Sequence, residues 1–561
     1  MSVRFPSLRA RGLGVGLDVP WDGRTGFGSS EEHGEGPTPS LRAFLQRHAG
    51  SWAHTFFSWQ PRDRSAPRLD DFAPAWDALV AALPPSLPRA LHHTALNLAS
   101  LGPYERSGLL AFTRQLCERY RLQWVNEDVG FWSLDGRAVP YPLPPLLTEG
   151  GLAATIANTR ECQAALPVPL LLEFPGFSAG ASVTVGEMHA YDFFRRLAEG
   201  TEAPVTLDVG HLLSYQWWRG RRGRALSEEL ERLPLEHCFE LHLSGCEVVG
   251  DAFIDAHHGT LLDEQFELTA QLLERCPNVR AVTWEDPRFD AQGVLGEANL
   301  ASWRHLQQLV AGWVGPADAP SLETTSAWEV RRHEDLSHLE RALGDHLHGV
   351  TTTLELDGLP VHHEPAAVEA VHQMILERRY RGTGGLREWF PLTLASWLEL
   401  HPSDQDLREL VRRFTASPSA SAWREHPNAR KGQSLEEAFF QFFVAEGVGQ
   451  REVREDEFLG ALVRALAVAP RADFHLPAQL RRTELGCVAV SERLTLHAAV
   501  GGQYVRGPLT PMLASLVRGV AVAEVAERFG AAPWEVAMVQ QNLVSRGLIE
   551  SESASLTTAK G

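Results

Sequence analysis

Apolar and polar residues follow two alternating patterns over the first 315 residues of this chain. Short apolar runs of strand length are separated by longer stretches, such as 105–120 and 187–198, in which apolar residues recur at helical spacing. The apolar runs predict strands at 12–19, 54–60, 89–93, 123–128, 168–174, 204–209, 238–243 and 279–285. Strands that alternate with helices in this way predict a (β/α)8 barrel, with a doubly wound parallel sheet as the alternative architecture.

The polar residues at the ends of these strands suggest a metal site. Six predicted strands end in an imidazole or a carboxylate, at His92, Asp128, Glu173, Asp208, His242 and Glu285. His211 follows the sixth strand, and Asp255 and His257 follow the seventh. In a barrel the carboxyl ends of the strands converge on one mouth, where active sites form. Imidazole and carboxylate ligands suit Zn, Fe or Mn, so the pattern predicts two or three ions there, although any one of these residues alone is as well explained as a structural residue.

The alternation of strands and helices stops after the segment 315–320, which contains glycine and proline and is interpreted as a linker. Residues 321–475 are predicted to form a mainly helical domain, in which the serine-rich stretch 417–423 is interpreted as a mobile loop. Residues 476–561 change character again, with a hairpin at 485–490 and 494–499 and three short helices after it. We therefore predict a TIM-barrel domain over 1–315, followed by a mainly helical domain and a small winged-helix-like α+β domain.

Composition and charge narrow the function. The net charge of −19 opposes general binding to nucleic acid or to anionic lipid. The sequence contains no apolar run of about eighteen residues, so no membrane span is expected, and the basic N-terminus lacks the apolar segment of a signal peptide. The six cysteines are scattered without a Cys-x-x-Cys pair, which fits a reducing cytosol and a cytoplasmic location.

The candidate ligands resemble, in order and spacing, those of xylose-isomerase-like barrels, endonuclease IV among them. The closer resemblance is to the multinuclear non-heme iron-dependent oxidases, also called DUF692. Segment 242–246 is similar to their His-Leu-Ala-Gly-His box, and segment 254–257 is similar to their Ile-Asp-Thr-His box. Strand-end motifs at 91–93, 126–129, 173–174, 206–211 and 284–287 are also similar. The resemblance covers about residues 12–315.

This resemblance implies three metal positions. The first would use His92, Asp128 and Glu173, the second Glu173, Asp208, His242 and Glu285, and the third His211, Asp255 and His257. Asp128 stands where the family has a histidine, so the first position is expected to be labile or vacant, although a carboxylate is a competent ligand for iron. Cys246 replaces the second histidine of its box, and we interpret it as a small buried residue in preference to a group that supports the ligands.

The resemblance also implies a chemistry. Two or three iron ions, in mixed Fe(II)/Fe(III) states and with O2 as co-substrate, would oxidise Cys, Asp or similar side chains of a ribosomally synthesised precursor peptide. The C-terminal segment resembles a winged helix or a PqqD-like peptide-recognition domain, which implies that it recruits the peptide, by strand addition to the hairpin, in preference to DNA. A partner protein is a further expectation. The alternatives are an endonuclease IV-like hydrolase, a sugar isomerase or epimerase, and a barrel that has lost its chemistry and only binds a partner.

Overall fold

The computed structural model describes residues 3–18, 38–59, 69–177, 183–323, 335–348, 351, 353–362, 368, 371, 386–424, 431–468, 473–501 and 503–550. The described residues form two compact units. The first unit comprises Met1–Leu347 and Thr351–Gln373, and the second comprises His348–Val350 and Met374–Gly561.

A closed parallel barrel forms the centre of the first unit. Its strands are β1 Ala10–Asp18, β2 Thr55–Trp59, β3 Arg89–His93, β4 Trp124–Asp128, β7 Leu170–Glu173, β9 Val205–Asp208, β10 Cys238–Leu243 and β13 Ala281–Glu285. Each strand pairs with the next in sequence, and β13 returns to pair with β1 in the register Gly12↔Ala281. This closure confirms the predicted TIM barrel, and the doubly wound alternative is wrong because an open sheet has no such pairing.

Glycines in β1 make room inside the barrel for a side chain of β2 and for the one just before it. A Cβ atom on Gly14 would lie 2.2 Å from the ring of His54, and one on Gly16 would lie 2.2 Å from the ring of Phe56. The ring of Phe56 in turn lies 5.0 Å from that of His242 and 5.4 Å from that of His92, measured between ring centroids. Because only glycine leaves this space, β1 allows an aromatic floor to form beneath two candidate ligands.

Helices lie between the barrel strands. They are α1 Thr38–His48, α2 Leu69–Val80, α3 Ser107–Tyr120, α4 Glu149–Ala165, α5 Ala190–Thr201, α6 Val209–Trp218, α7 Asp263–Arg275 and α8 Glu297–Val310. Two of them, α3 and α5, lie at the segments 105–120 and 187–198 that the periodicity predicts. Two hairpins interrupt this alternation, β5 Phe131–Leu134 with β6 Arg137–Leu143, and β11 Cys246–Val249 with β12 Ala252–Asp255. The second hairpin matters for the site because it ends at Asp255.

The first unit continues beyond residue 315, where the sequence predicts the barrel domain to end. The strand β14, Gly315–Pro316, pairs antiparallel with β1. The helix α9, Ser337–Leu347, carries the buried Glu340, whose carboxylate accepts hydrogen bonds from the backbone N–H groups of Leu101 (2.8 Å) and Asp135 (3.0 Å). The strand β15, Val361–His362, pairs antiparallel with β8, Thr184–Val185. The compact unit therefore includes a segment that the sequence assigns to the helical domain.

The second unit begins with helices and continues into a sheet. The helices are α10 Leu386–Trp389, α11 Pro391–Leu398, α12 Asp404–Thr415, α13 Pro418–Arg424, α14 Leu435–Glu446 and α15 Arg451–Val468, with the short strands β16 Lys431–Gly432 and β17 Asp473–Phe474. Aromatic residues fill their core; for example, the rings of Phe414 and Phe439 stack with centroids 3.7 Å apart. The prediction of a loop at 417–423 is wrong, because Ser417 Oγ accepts a hydrogen bond from Ala420 N (3.2 Å) at the start of α13 and Ala420 is buried.

The last part of the second unit is a four-stranded antiparallel sheet followed by three helices. The sheet order is β18 Leu480–Thr483, β19 Gly486–Val490, β20 Thr495–Val500 and β21 Gln503–Pro508. The helices are α16 Pro511–Val517, α17 Val522–Phe529 and α18 Pro533–Ser545. Both strands of the predicted hairpin, β19 and β20, are paired on their outer sides, so a peptide strand can add only at β18 or β21. Within the described ranges, every helix falls short of the length and apolar character that crossing a membrane requires.

Candidate metal centre

The carboxyl ends of six barrel strands bring imidazoles and carboxylates together at the barrel mouth. Each of these side chains is the last or nearly the last residue of its strand, and each is buried: His92 in β3, Asp128 in β4, Glu173 in β7, Asp208 in β9, His242 in β10 and Glu285 in β13. Parallel strands that end in register place their terminal side chains on one rim. Neighbouring strands pair in this register at the site, for example Asp128↔Glu173 and His242↔Asp208.

Four of these residues form one tight cluster, which we call the central cluster: His92, Glu173, His242 and Glu285. One ligand atom from each lies within 4.8 Å of the others. His92 Nε2 is 2.9 Å from Glu173 Oε2, and His242 Nδ1 is 2.8 Å from Glu285 Oε1 and 3.2 Å from Glu173. Two imidazoles facing two carboxylates at these distances could hold a divalent ion after small adjustments of the side chains.

Asp128 lies on the other side of Glu173, within 4.8 Å of Glu173 and His211 when one ligand atom of each is considered. His211 contributes to this group through Nδ1, which is 3.9 Å from Glu173 and 4.0 Å from Asp128. However, Nδ1 is also only 2.7 Å from the backbone carbonyl of Phe174, an acceptor, so Nδ1 carries the proton and donates it there. The nitrogen of His211 that is available to a metal is therefore Nε2, and Nε2 faces Asp255.

The third group, which we call the rim cluster, contains His211, Asp255 and His257. Asp255 Oδ2 is 3.2 Å from His211 Nε2 and 2.9 Å from His257 Nε2, so this oxygen lies between two imidazoles. The other ring nitrogen of His257, Nδ1, is 3.0 Å from Asp286 Oδ2. The side chain of His257 is 44% exposed, whereas those of its two partners are 10% and 12% exposed. His257 is thus the member of the rim cluster that solvent or a substrate reaches first.

The structure groups the nine sequence-predicted residues differently from the resemblance. His92 lies with Glu173, His242 and Glu285, and Asp128 lies with Glu173 and His211, so Glu173 is common to both groups. Asp208 belongs to neither of these two groups within the described residues. Its Oδ1 accepts a hydrogen bond from the backbone N–H of His211 (2.7 Å) and thereby caps α6, which leaves its second oxygen for other interactions.

Burial and charge act against each other on these groups. Burial, together with the negative charge of Glu173, raises the pKa of Asp128 to about 7. Burial also raises the pKa of Asp208 to about 7, with Asp255 and Glu285 adding to the effect. For Glu173 the penalty of burial is outweighed by His242 and His92, which hold the pKa of this carboxyl well below its usual range. Crowded buried carboxylates of this kind are costly without cations, and a metal ion is the usual compensation.

Two polar atoms in the site support the fit of a metal. His92 Nδ1 and Asp128 Oδ1 are buried, and neither has a hydrogen-bond partner within the described part of the chain. Buried polar atoms in proteins nearly always have a partner, so unpartnered ones beside a cluster of ligand-type groups fit a site that binds an ion. The donor set of nitrogen and oxygen atoms suits Fe, Mn or Zn.

A buried polar layer beneath the ligands was not anticipated from the sequence. Asn126 Nδ2 lies 3.1 Å from Glu173 Oε2 and 3.1 Å from His242 Nε2. Glu240 lies 3.4 Å from the same His242 nitrogen. Asn126 and Glu240 each precede a predicted ligand by two positions in a strand. Because side chains along a strand alternate between its two faces, Asn126 and Glu240 lie on the same face as the ligand that follows them. The sequence therefore contained the information that predicts this polar layer.

Cys246 is buried beside the rim cluster, with Sγ 3.9 Å from Asp255 Oδ1 and 3.9 Å from Ser244 Oγ. Burial, with the nearby carboxylate of Asp255, raises the pKa of this thiol well above its usual range. The residue is therefore a neutral thiol in the described geometry, which agrees with its interpretation as a small buried residue.

Comparisons with known proteins bear on the barrel. Residues 71–302 match the family described as RiPP precursor modification enzyme MbnB/TglH/ChrH. A UPF0276 protein from Streptomyces avermitilis is 27% identical over 195 residues, which are 34% of this chain and 39% of that protein's length. Among solved structures, a xylose isomerase-like TIM barrel protein from Mycobacterium smegmatis in complex with magnesium has 15% identity and a TM-score of 0.34, covering 54% of this chain and 98% of its own. An N-acetylneuraminate lyase from Mycoplasma synoviae has 8% identity and a TM-score of 0.27, covering 65% of this chain and 96% of its own.

Proposed function

We propose, from the match of residues 71–302 to the family of RiPP precursor modification enzymes, that this chain is a multinuclear non-heme iron oxidase. It would use O2 to modify Cys, Asp or similar side chains of a ribosomally synthesised precursor peptide. The observation that carries this proposal is the central cluster together with the adjoining group of Asp128, Glu173 and His211. All of these imidazoles and carboxylates are buried at the barrel mouth. A sugar isomerase or an abasic-site hydrolase would not use the peptide-recognition module proposed below.

The central cluster would hold one iron through His92, Glu173, His242 and Glu285, with Asp208 beside it. The rim cluster would hold a second through His211, Asp255 and His257, and Asp128 with Glu173 would complete a third position. Bound iron supplies electrons to O2 in its ferrous form and a site for a substrate thiolate or carboxylate in its ferric form. Glu173 belongs to both groups of ligand atoms, so it would be the ligand that two metal positions share.

Side chains around the candidate ligands have further roles in the proposed site. The ring of Phe56 lies beneath His92 and His242 and keeps water from the lower side of the central cluster. Asp286 accepts a hydrogen bond from His257 Nδ1 and so turns its Nε2 inward, towards Asp255. Because His257 is also the most exposed member, a peptide side chain would meet the rim cluster first.

The experiment that tests the proposed chemistry follows the mass of a precursor peptide. The peptide, co-expressed or added to the iron-loaded full-length protein, should change mass in the presence of O2 and remain unchanged without O2. The Glu173→Gln variant should abolish the modification. A mass change that proceeds equally well without O2, or with zinc in place of iron, would contradict the oxidase assignment.

We further propose that residues 476–561 recruit the peptide and do no chemistry. The second unit has a groove of about 320 Å3 beside the edge strand β18, and it is lined by Ala478, Gln479, Arg481, Val488, Val490, Val517 and Arg518. An apolar floor of valines flanked by two arginines suits an extended peptide with apolar and acidic side chains. Strand addition at β18 would supply backbone hydrogen bonds, and the groove would supply selectivity.

Point substitution tests this recruitment better than deletion, because His497 in β20 is hydrogen-bonded to Asp456 in α15 and deletion would expose that helix. The Arg481→Glu variant should weaken peptide binding about tenfold or more and leave the iron content unchanged. Arg546→Glu, an exposed charge reversal outside the groove lining, is the matched control. If both variants bind the peptide as the unaltered chain does, the groove has no part in recruitment.

A further inference from the structure

A network of buried side chains supports the central cluster from below. Glu240, in β10, is fully buried, and its Oε2 accepts a hydrogen bond from Trp124 Nε1 (2.8 Å). Its other oxygen, Oε1, accepts a hydrogen bond from Thr283 Oγ1. The hydroxyl of Thr283 in turn lies 2.8 Å from His54 Nε2, which can donate to it. Three strands and the ring of His54 thus fix the Glu240 carboxylate in one orientation.

The fixed orientation of the Glu240 carboxylate affects His242, whose ring lies between Glu240 and the other residues of the central cluster. Its Nδ1 faces Glu173 and Glu285 in the central cluster, and its Nε2 faces away from them, 3.4 Å from Glu240 Oε1. An imidazole binds a metal only through a nitrogen that carries no proton. A proton held on Nε2 therefore leaves Nδ1 free for an ion, whereas a proton held only on Nδ1 would prevent binding.

Two neighbours compete to decide where that proton lies. Asn126 Nδ2 is 3.1 Å from His242 Nε2 and can only donate, which favours a bare Nε2. The ionised carboxylate of Glu240 accepts hydrogen bonds and cannot donate them, which favours a proton on Nε2 of His242. Asn126 Nδ2 has a second acceptor at Glu173 Oε2, and Asn126 Oδ1 is occupied by the hydroxyl of Thr206 (2.8 Å). A buried charge next to the ring interacts more strongly with its N–H than a neutral amide does.

We propose that Glu240 is a positioning residue that holds the proton of His242 on Nε2 and thereby presents Nδ1 to a metal in the central cluster. The proposal rests on the part of the proposed function that assigns a divalent ion to this cluster, and it does not depend on which reaction follows. It also explains why a carboxylate is buried here with two dedicated donors. A charge in a barrel interior is strongly unfavourable unless it has such partners.

The test compares two buried glutamates that both contact a histidine. Glu240→Gln keeps the size of the side chain and removes the charge that holds the Nε2 proton. Glu127→Gln is the matched control, because Glu127 is also fully buried and lies 3.1 Å from His93 Nδ1, yet neither residue belongs to a candidate metal group. Affinity for Fe(II) is measured anaerobically by competition with a chelator on the full-length protein. The visible spectrum of the Co(II)-loaded protein is the second readout, because loss of an imidazole ligand shifts its ligand-field bands.

Glu240→Gln should lower the Fe(II) affinity of one site about ten- to hundred-fold and shift the Co(II) spectrum, as carboxylates behind metal-bound imidazoles do elsewhere. Glu127→Gln should change neither readout. Glu240→Asp, which keeps the charge, should recover part of the affinity. If Glu240→Gln does not fold, Thr283→Val decides, since it removes one donor that orients Glu240 and should weaken Fe(II) binding severalfold.

The outcomes separate this inference from the proposed function. Unchanged affinity and spectrum in Glu240→Gln, with metal bound normally by the unaltered chain, would overturn the positioning role alone. Equal losses in Glu240→Gln and Glu127→Gln would also overturn it, because a general loss of stability would then explain both. An unaltered chain that binds neither Fe(II) nor Co(II) would overturn both proposals, whereas weakened binding in a protein that never modifies peptide would leave the positioning role standing.

Discussion

Two regions of this molecule bury histidines against carboxylates, and they differ in whether their hydrogen bonds are complete. In the second unit, His497 donates to or accepts from Tyr504 OH through Nδ1 (2.8 Å) and contacts Asp456 Oδ1 through Nε2 (3.0 Å). The second oxygen of Asp456 accepts a hydrogen bond from Arg506 (3.0 Å). At the barrel mouth, by contrast, His92 Nδ1 and Asp128 Oδ1 are buried and lack a hydrogen-bond partner within the described residues.

This difference distinguishes a structural network in the second unit from a candidate metal site at the barrel mouth. The pair of His497 and Asp456 joins α15 to the sheet, and each of its polar atoms has a partner inside the protein, so nothing further is needed there. The barrel mouth has more carboxylates than imidazoles to pair with them. The hydrogen bonds that form there join candidate ligand atoms to one another. Histidine and carboxylate content alone therefore does not indicate a metal site, whereas incomplete hydrogen bonding within a crowded buried cluster favours one.

The largest effect is expected for His242→Ala, which removes a ligand from the central cluster. We expect the protein to lose at least one bound metal ion per chain and to keep its barrel, because the cavity lies at the rim of the sheet. Metal analysis together with circular dichroism checks this. A variant that keeps full metal content and full activity would contradict the assignment of His242.

The converse change in the second unit should affect stability and not metal. His497→Ala leaves Asp456 buried with one partner fewer, which should cost about 3–5 kcal/mol of the free energy of unfolding of this unit. Hydrogen exchange in α15, measured at increasing denaturant, gives the loss of stability. The control is His475→Ala, since His475 is exposed. Loss of metal in His497→Ala would mean that the two regions are not as distinct as we argue.

Asp128→His sharpens the comparison within the barrel. The change replaces a buried carboxylate beside Glu173 with the imidazole that the resemblance implies at this position, which offers a nitrogen ligand and adds no negative charge. We expect the occupancy of the first metal position to rise severalfold near neutral pH. Equal metal content in the variant and the unaltered chain would count against a ligand role for residue 128.

The smallest effect concerns pH. Burial opposes ionisation of Asp456, but hydrogen bonds from His497 and Ser491 outweigh it and hold the pKa of this carboxyl below its usual range. A carboxyl whose pKa is lower in the folded state stabilises that state above its unfolded pKa of about 4, and the stabilisation is lost as the pH falls below that value. The second unit should therefore lose stability progressively as the pH falls below about 4. In Asp456→Asn this pH dependence should flatten, and an unchanged profile would contradict the ion pair.

The strands were predictable from the sequence, since each barrel strand lies within two residues of its predicted bounds at both ends. The bounds of a strand depend on the local sequence, because an apolar run ends where a loop begins. The predicted carboxyl ends of the strands then indicate where the barrel mouth lies. The grouping of ligands was not predictable, because it depends on side-chain directions at the rim: the carbonyl of Phe174 binds Nδ1 of His211 and turns its Nε2 towards Asp255.

The sequence was least informative where side chains are exposed. The strands β18 and β21 flank the predicted hairpin but have mostly exposed residues, so they lack the apolar alternation that marked β19 and β20. The helix α13 was missed because its serines and proline are typical of loops, whereas here Ser417 caps the helix and Pro418 begins it. Glu240 and Asn126 were overlooked although their positions two residues before a predicted ligand marked them.

The central claim is that the barrel mouth is a multinuclear iron site, and the metal content of the protein tests it most directly. The full-length chain would be purified without oxygen and analysed for Fe, Mn and Zn beside His242→Ala prepared in the same way. Our account predicts two or three iron ions per chain in the unaltered protein and a loss of at least one in the variant. Zinc alone, or no bound metal in either protein, would contradict it.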